Sequence, residues 1–255
     1  MAGDFAIEYE RTDEGWVVFP RDAEYRRRFF DPEVSQHPAK FNLFLVESLV
    51  EYLTEPGDTV LDPFAGSGST MIAALTGRNV TLIELEEPYL ATLKRSWVKM
   101  GEAGATGQVQ FLQGDCRQVL PVPADCVITS PPYSNLSVTQ PLDHVGDILA
   151  YIKHPLNLGR LNDFYFIQAM ERVYQGLAQS LPADGPMVII TRDKMEGDTR
   201  KLLSDGIIRQ ATRNGFYFGE WLKHKPPGSK QGKINRARGF KTVEDEDILL
   251  FRKRP

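Results

Sequence analysis

The sequence predicts an α/β fold, an open and mostly parallel sheet wound with helices on both faces. Three observations predict it. From residue 58 onward, short apolar runs alternate with longer stretches of helical periodicity. Each run is bounded by Gly, Asp or Pro and is nearly continuous in apolar character, as strands buried on both faces are. The last two runs have no helix between them, so they are expected to pair antiparallel across a long connection.

The first four strands are read at TVLDPF (59–64), NVTLIEL (79–85), VQFLQGD (109–115) and ADCVITS (124–130). A short helix, STMIAALTG, separates the first pair and stops at Gly77. The run EEPYLATLKRSWVKMGEAG reads as a helix ending near Gly101, and residues 163–182 as the longest amphipathic helix. Strand PMVIITR (186–192) follows, then a helix over 198–215 with Gly215 as its stop. FYFGEWLKH (216–224) and DILLFRK (247–253) complete seven strands. Upstream, FNLFLVESLVEYLT reads as a further helix.

Composition narrows the class. The chain has 255 residues, 42% hydrophobic and 25% charged, which suits one large domain. No window approaches a membrane-spanning apolar run, and the N-terminus lacks the pattern of a signal peptide. Two cysteines, Cys116 and Cys126, make neither a disulfide framework nor a zinc cluster, so a cytoplasmic protein without a metal site is expected. Cys126, in mid-strand, reads as a small core residue. A net charge of −4 argues against a generally basic coat but leaves room for a local basic face.

The string LDPFAGSGST (61–70) falls at the end of the first strand and the start of a helix. Gly66 and Gly68 allow a sharp turn and close approach of backbone to a ligand. Asp62 offers an acceptor to an amine. Glu84, twenty-two residues on, ends the second strand, where a carboxylate receives both hydroxyls of a ribose. Dinucleotide enzymes share that logic, but their third glycine is Met71 here. The whole string D-P-F-x-G-S-G-S/T resembles the cofactor loop of the DNA amino-methyltransferases. With it, seven strands and a reversed last strand resemble the class I methyltransferase fold, a Rossmann-like sheet.

That resemblance implies S-adenosyl-L-methionine as cofactor, with Asp62, Phe64, Gly66, Gly68, Ser69, Thr70 and Glu84 around it. It also implies that an acid at the end of the third strand meets the adenine amino group, which puts Asp115 there with Cys116 beside it. A plain helix-capping role for Asp115 is compatible with this. HPAKFN (37–42) resembles the segment that closes over the methionine end, making Lys40 and Phe41 candidates. A Pro-containing turn before a helix explains the same string. Residues 1–57 are thereby read as an arm and helix packed on the cofactor site, and residues 58–255 as the catalytic domain.

The pentapeptide TSPPY (129–133) ends the fourth strand. Paired prolines fix two φ angles and remove two donors, holding the segment stiff with its carbonyls free. An exocyclic base amine is a poor nucleophile because its lone pair is delocalised into the ring. Ser130 Oγ and the Pro131 carbonyl each accept an N–H, drawing that nitrogen towards tetrahedral geometry. Pro132 stiffens the turn, and Tyr133 offers a face on which a flipped base stacks. Ser at the first position of this motif resembles the cytosine-N4 enzymes, whereas Asp or Asn resembles the adenine-N6 enzymes. No Cys follows the prolines, so the covalent cytosine-C5 route is not expected.

Two segments remain for nucleic acid, residues 134–163 and 223–241. The second contains seven Lys or Arg and no acid: Lys223, Lys225, Lys230, Lys233, Arg236, Arg238 and Lys241. It is read as a loop on the carboxyl edge of the sheet that clamps phosphates of double-stranded DNA, against the plainer reading of a solvated loop. YRRRFF (25–30) serves either nucleic-acid contact or packing of the arm. His144 and His154 read as isolated loop residues. The recognition insert is short for the family, so a partner nuclease or specificity component is an expectation. Adenine-N6 methylation, RNA guanine-N2 methylation and non-catalytic nucleic-acid binding are the competing readings. The guanine-N2 enzymes resembled usually show Asp or Asn at the position of Ser130 and an added N-terminal RNA-binding domain.

Overall fold

The computed structural model describes residues 5–36, 40–134, 154–227 and 237–255. Strands β1 (Thr59–Asp62), β2 (Asn79–Glu84), β3 (Val109–Gln113), β4 (Cys126–Thr129) and β5 (Pro186–Thr191) run parallel. Strands β8 (Phe216–His224) and β9 (Glu246–Lys253) complete a seven-stranded sheet in the order β3-β2-β1-β4-β5-β9-β8. Strand β9 is reversed, pairing antiparallel with both β5 and β8. This is the class I methyltransferase fold expected from the sequence. The order reverses between β1 and β4, so their carboxyl ends open the crevice where such sheets take ligands.

Period-two alternation in the central strands feeds two cores at once. Val60, Ile128 and Val188 point to one face, and their neighbours Leu61, Val127 and Ile189 point to the other. The first face is covered by α2 (Leu43–Leu53), a 3-10 helix (Ser69–Thr76) and α3 (Glu87–Glu102). The second is covered by α4 (Cys116–Val119), α5 (Asp163–Ser180) and α6 (Ser204–Arg213). Helix α2 starts where Asn42 caps it, accepting from the Phe44 amide at 2.9 Å. Helix α6 ends at Asn214, and Gly215 follows with φ +101°, the left-handed turn expected there.

The N-terminal arm packs on the first face. Helix α1 (Ala23–Phe29) and the residue after it bury Phe29 and Phe30, which decides the packing role of those two aromatics. Further back, Val17 bridges to His224, with its amide on the Lys223 carbonyl at 3.0 Å. The arm therefore spans from the edge strand β8 to α3, where Lys99 reaches the Phe30 carbonyl at 3.0 Å.

Some boundaries differ from the sequence reading. Strands β1 to β5 stop one to two residues early; after β1 and β3, Pro63–Phe64 and Gly114–Asp115 leave the ladder to build the loops above it. The region read as a helix from residue 198 is instead a hairpin, β6 (Lys194–Glu196) and β7 (Thr199–Lys201), turned at Gly197, and α6 begins only at Ser204. An ion pair holds that hairpin down. Arg200 bridges Asp193 at 2.7 Å and Asp245 at 2.7 Å, both carboxylates being buried. A charge pattern reaching residue 245 is invisible to local periodicity.

One glycine tests this packing. A Cβ at Gly107 would lie 1.9 Å from the Arg78 carbonyl oxygen, in a turn where Arg78 itself is anchored on Thr54. Gly107→Ala is expected to destabilise the protein by about 2–3 kcal/mol, read as a lowered urea midpoint. An unchanged midpoint would contradict the packing.

Candidate active site

The cofactor loop is shaped by two left-handed glycines, Gly66 (φ +49°) and Gly68 (φ +70°). At Gly68 a Cβ would also strike Leu93, at 2.3 Å from its Cδ2. The loop is tied to the next strand through Glu84, which accepts from the Gly66 amide at 2.7 Å and from the Glu86 amide at 2.8 Å. Burial raises the Glu84 carboxyl to about 7, although the two backbone donors favour its charged form. Asp62 is 1% exposed and accepts from Thr129 Oγ1 (2.7 Å), Thr70 Oγ1 (3.0 Å) and the Phe64 amide (3.1 Å). Burial lifts it to about 6, against those three hydrogen bonds.

Beside this loop lies an open cleft. Phe64, Gly66, Glu84, Asp115, Cys116 and Pro132 line it, so sequence candidates from four separate segments meet around one space. Asp62, Gly68, Ser69 and Thr70 do not line it. They form the buried support behind it. Asp62, with donors from the loop, the 3-10 helix and β4, braces these three pieces together. Asp115 caps α4, accepting from the Arg117 amide at 3.0 Å, and its carboxylate is paired with the Arg117 side chain. Burial pushes the Cys116 thiol up, which keeps it neutral.

Three functional residues were not singled out as such by sequence. Arg26 is buried and joins the arm to the loop: Nη1 donates to Ser69 Oγ at 3.1 Å, while Nη2 donates to Asp22 at 2.8 Å and to the Phe41 carbonyl. Phe41 thus contributes its backbone here, and Lys40 stands exposed beside it. Glu86 Oε1 accepts from the His154 amide and from Asn157 Nδ2, both at 3.0 Å. Leu156, Asn157 and Leu158 are thereby held as the opposite wall of the cleft. The cluster YRRRFF signalled Arg26 without its partner; Glu86 and Asn157 had no sequence signal.

The catalytic candidates leave β4 directly after Thr129. Ser130, Pro131, Pro132 and Tyr133 are all half-buried. The Tyr133 hydroxyl accepts from the Arg192 amide at 3.2 Å, and burial raises that phenol to about 12. Lys194 Nζ sits 5.0 Å from the Tyr133 ring centroid, so one face of the ring already meets a cation. Pro131 to Ser134 border a second, larger cleft between α5 and α6. Pro132 lines both clefts and forms their common wall.

The basic segment is only partly as expected. Lys223 is turned inward, pairing with buried Asp245 and, at 2.8 Å, with buried Asp247. That corrects its reading as a phosphate clamp, because its charge is spent inside the protein. Lys225 lies 4.0 Å from Glu244 and stays half exposed. Arg238 and Lys241 are exposed. Lys230, Lys233 and Arg236 lie outside the described residues, as do most of 134–163 and His144. Among the described residues no cluster of His, Cys, Asp or Glu is arranged to hold a metal, and no helix is long and apolar enough to cross a membrane.

Residues 8–95, which include the arm, the loop and Glu84, match the family described as DNA methylase. Over that span the chain is similar to the N6/N4 DNA methylases. A type II methyltransferase, M.BglI of Bacillus subtilis, is 53% identical over 55 residues, 21% of this chain and 16% of that protein. The chain thus matches about a sixth of the length of that relative. TrmN from Thermus thermophilus superposes with a TM-score of 0.58 at 17% identity, covering 89% of this chain and 52% of TrmN. A methyltransferase from Pyrococcus furiosus gives 0.54 at 16% identity, covering 92% of this chain and 95% of that one. At such identities the structures speak for the fold.

The raised carboxyls make a testable pH signature. Unfolded, Asp62 and Glu84 release their protons near pH 4 (about 3.9 and 4.3), whereas folded they hold them to about 6 and 7. Between those limits the folded state binds more protons, so the cofactor-free protein loses stability as pH rises from about 4 to about 7. Glu84→Gln is expected to flatten that slope, read from urea midpoints across the window. A variant with the wild-type slope would contradict the assignment.

Proposed function

We propose that the protein transfers a methyl group from S-adenosyl-L-methionine to the exocyclic N4 of cytosine in a flipped-out base of DNA. The observation that carries this reading is the position of Ser130–Tyr133. The segment leaves the strand that Asp62 braces against the cofactor loop, Pro131–Tyr133 border the larger cleft, and Pro132 lines both clefts. The similarity of residues 8–95 to DNA methylases supports DNA as the acceptor.

The residues of the smaller cleft fit the cofactor. Glu84 presents a carboxylate suited to vicinal hydroxyls, Asp115 an acid suited to an amine, and Phe64 and Leu158 apolar walls suited to a purine. Bound there, S-adenosylmethionine supplies an electrophilic methyl group on a sulfonium. The protein's own work is to prepare the acceptor. Ser130 Oγ and the Pro131 carbonyl accept the two N–H bonds of the base amine, localising the nitrogen lone pair. The paired prolines keep those acceptors fixed, so little reorganisation accompanies reaction. Tyr133, locked by Arg192, supports the base. The neighbouring apolar walls keep water away from the amine.

Transfer of radiolabelled methyl to DNA tests the reading. Ser130→Ala is expected to lower turnover at least ~100-fold while the dissociation constant for S-adenosylmethionine changes less than about twofold. Equal losses in both would remove Ser130 from the reacting centre, and wild-type transfer confined to RNA would overturn DNA as the substrate.

A further inference from the structure

The larger cleft has a character that methyl transfer to one base does not use up. Its floor is apolar, with Phe166, Met170 and Ile207, and Ile167 and Leu202 remain 46% and 56% exposed at its rim. Just outside, in the first turn of α5, Phe164 and Tyr165 are 63% and 56% exposed. Apolar groups gathered on a surface in this way mark a binding site. Its charged rim is predominantly basic: Lys194, Lys201, Arg209 and Arg213 stand against Asp163 and Glu171. Asp163 is already matched by Lys201 at 3.5 Å.

Arg209 and Arg213 are exposed and lie one turn apart on α6, where like charges destabilise a helix. An anion between them removes that repulsion, and guanidinium groups suit phosphate geometry. Apolar floor, aromatic neighbours and a basic rim together match a polynucleotide strand: bases over the floor, phosphates at the rim. The cleft is continuous with Pro131–Ser134, so a strand lying in it leads to the catalytic segment.

We propose that this cleft binds the nucleotides flanking the target base, with Arg209 and Arg213 holding their phosphates. The inference rests on the reading of the protein as a DNA methyltransferase. It gives the chain a DNA contact in α5, α6 and the β6–β7 hairpin, separate from residues 223–241.

Fluorescence anisotropy with a labelled DNA duplex tests it, using the full chain. The double variant Arg209→Gln/Arg213→Gln is expected to weaken binding about tenfold at low salt. It should also reduce the slope of log affinity against log salt by about 2, near 0.9 for each lost phosphate contact. The dissociation constant for S-adenosylmethionine should stay within about twofold. Arg172→Gln, an exposed charge on α5 outside the cleft, serves as control and should change neither affinity nor slope appreciably. Affinity and slope equal to wild type in the double variant would overturn the proposal, and would leave the cleft to a protein partner instead. So would an effect no larger than that of the control. Methyl transfer to DNA by the wild type, measured on the same preparation, separates this failure from a failure of the functional reading. Transfer with an unaffected double variant sinks only the cleft assignment, whereas absence of transfer sinks the reading on which it rests.

Discussion

The site depends on one buried carboxylate. Asp62 gathers a donor from the loop that follows its own strand (Phe64), one from the 3-10 helix beyond (Thr70), and one from the adjacent strand (Thr129). These are the three pieces whose relative placement a group-transfer enzyme has to control. Thr129 immediately precedes Ser130, so the brace fixes the proposed catalytic segment against the glycine loop within a single hydrogen bond. Burying a carboxylate costs free energy unless its lone pairs are met, and here three donors meet them. The residual penalty shows as the raised proton affinity of Asp62.

Other contacts extend that brace outward. Glu84 fastens the glycine turn to β2 through two backbone amides, and Arg26 fastens the arm to Ser69 and Phe41. Glu86 secures the far wall through His154 and Asn157. Each anchor is a charged side chain, little exposed, that spends its hydrogen bonds on backbone or on short polar groups. Preorganisation of this kind is what a reaction with a weak nucleophile needs, since acceptor and methyl group must meet already aligned. The inward turn of Lys223 follows the same pattern, because Asp245 and Asp247 have to be neutralised where β8 meets β9.

The fold was legible because it rests on local signals. Short, nearly continuous apolar runs such as CVIT and MVIIT, with glycine and proline stops, marked a buried parallel sheet, and the missing helix before the last run marked its reversed strand. The cofactor loop was legible because a strand, two glycines and a distant acid have a fixed spacing in such sheets. What escaped were consequences of contact at long range. The β6–β7 hairpin was hidden since Thr199–Leu203 has helix-compatible composition, and its anchor Arg200 finds Asp245 forty-five residues away. Glu86 and Asn157 carried no local signal, because they meet across 71 residues of chain. Asp62 was placed correctly in the chain, but nothing local says that Thr129 and Thr70 converge on it. The larger cleft, made by side chains from five elements and the loops between them, has no linear signature at all.

The central claim is that Ser130–Tyr133 prepares the N4 amine of cytosine for methylation. The most direct measurement is mass spectrometry of nucleosides from DNA incubated with the protein and isotopically labelled S-adenosylmethionine. The account predicts labelled N4-methylcytosine. Labelled N6-methyladenine in its place would contradict the assignment of the base while leaving the braced site intact, and unlabelled DNA would contradict the account as a whole.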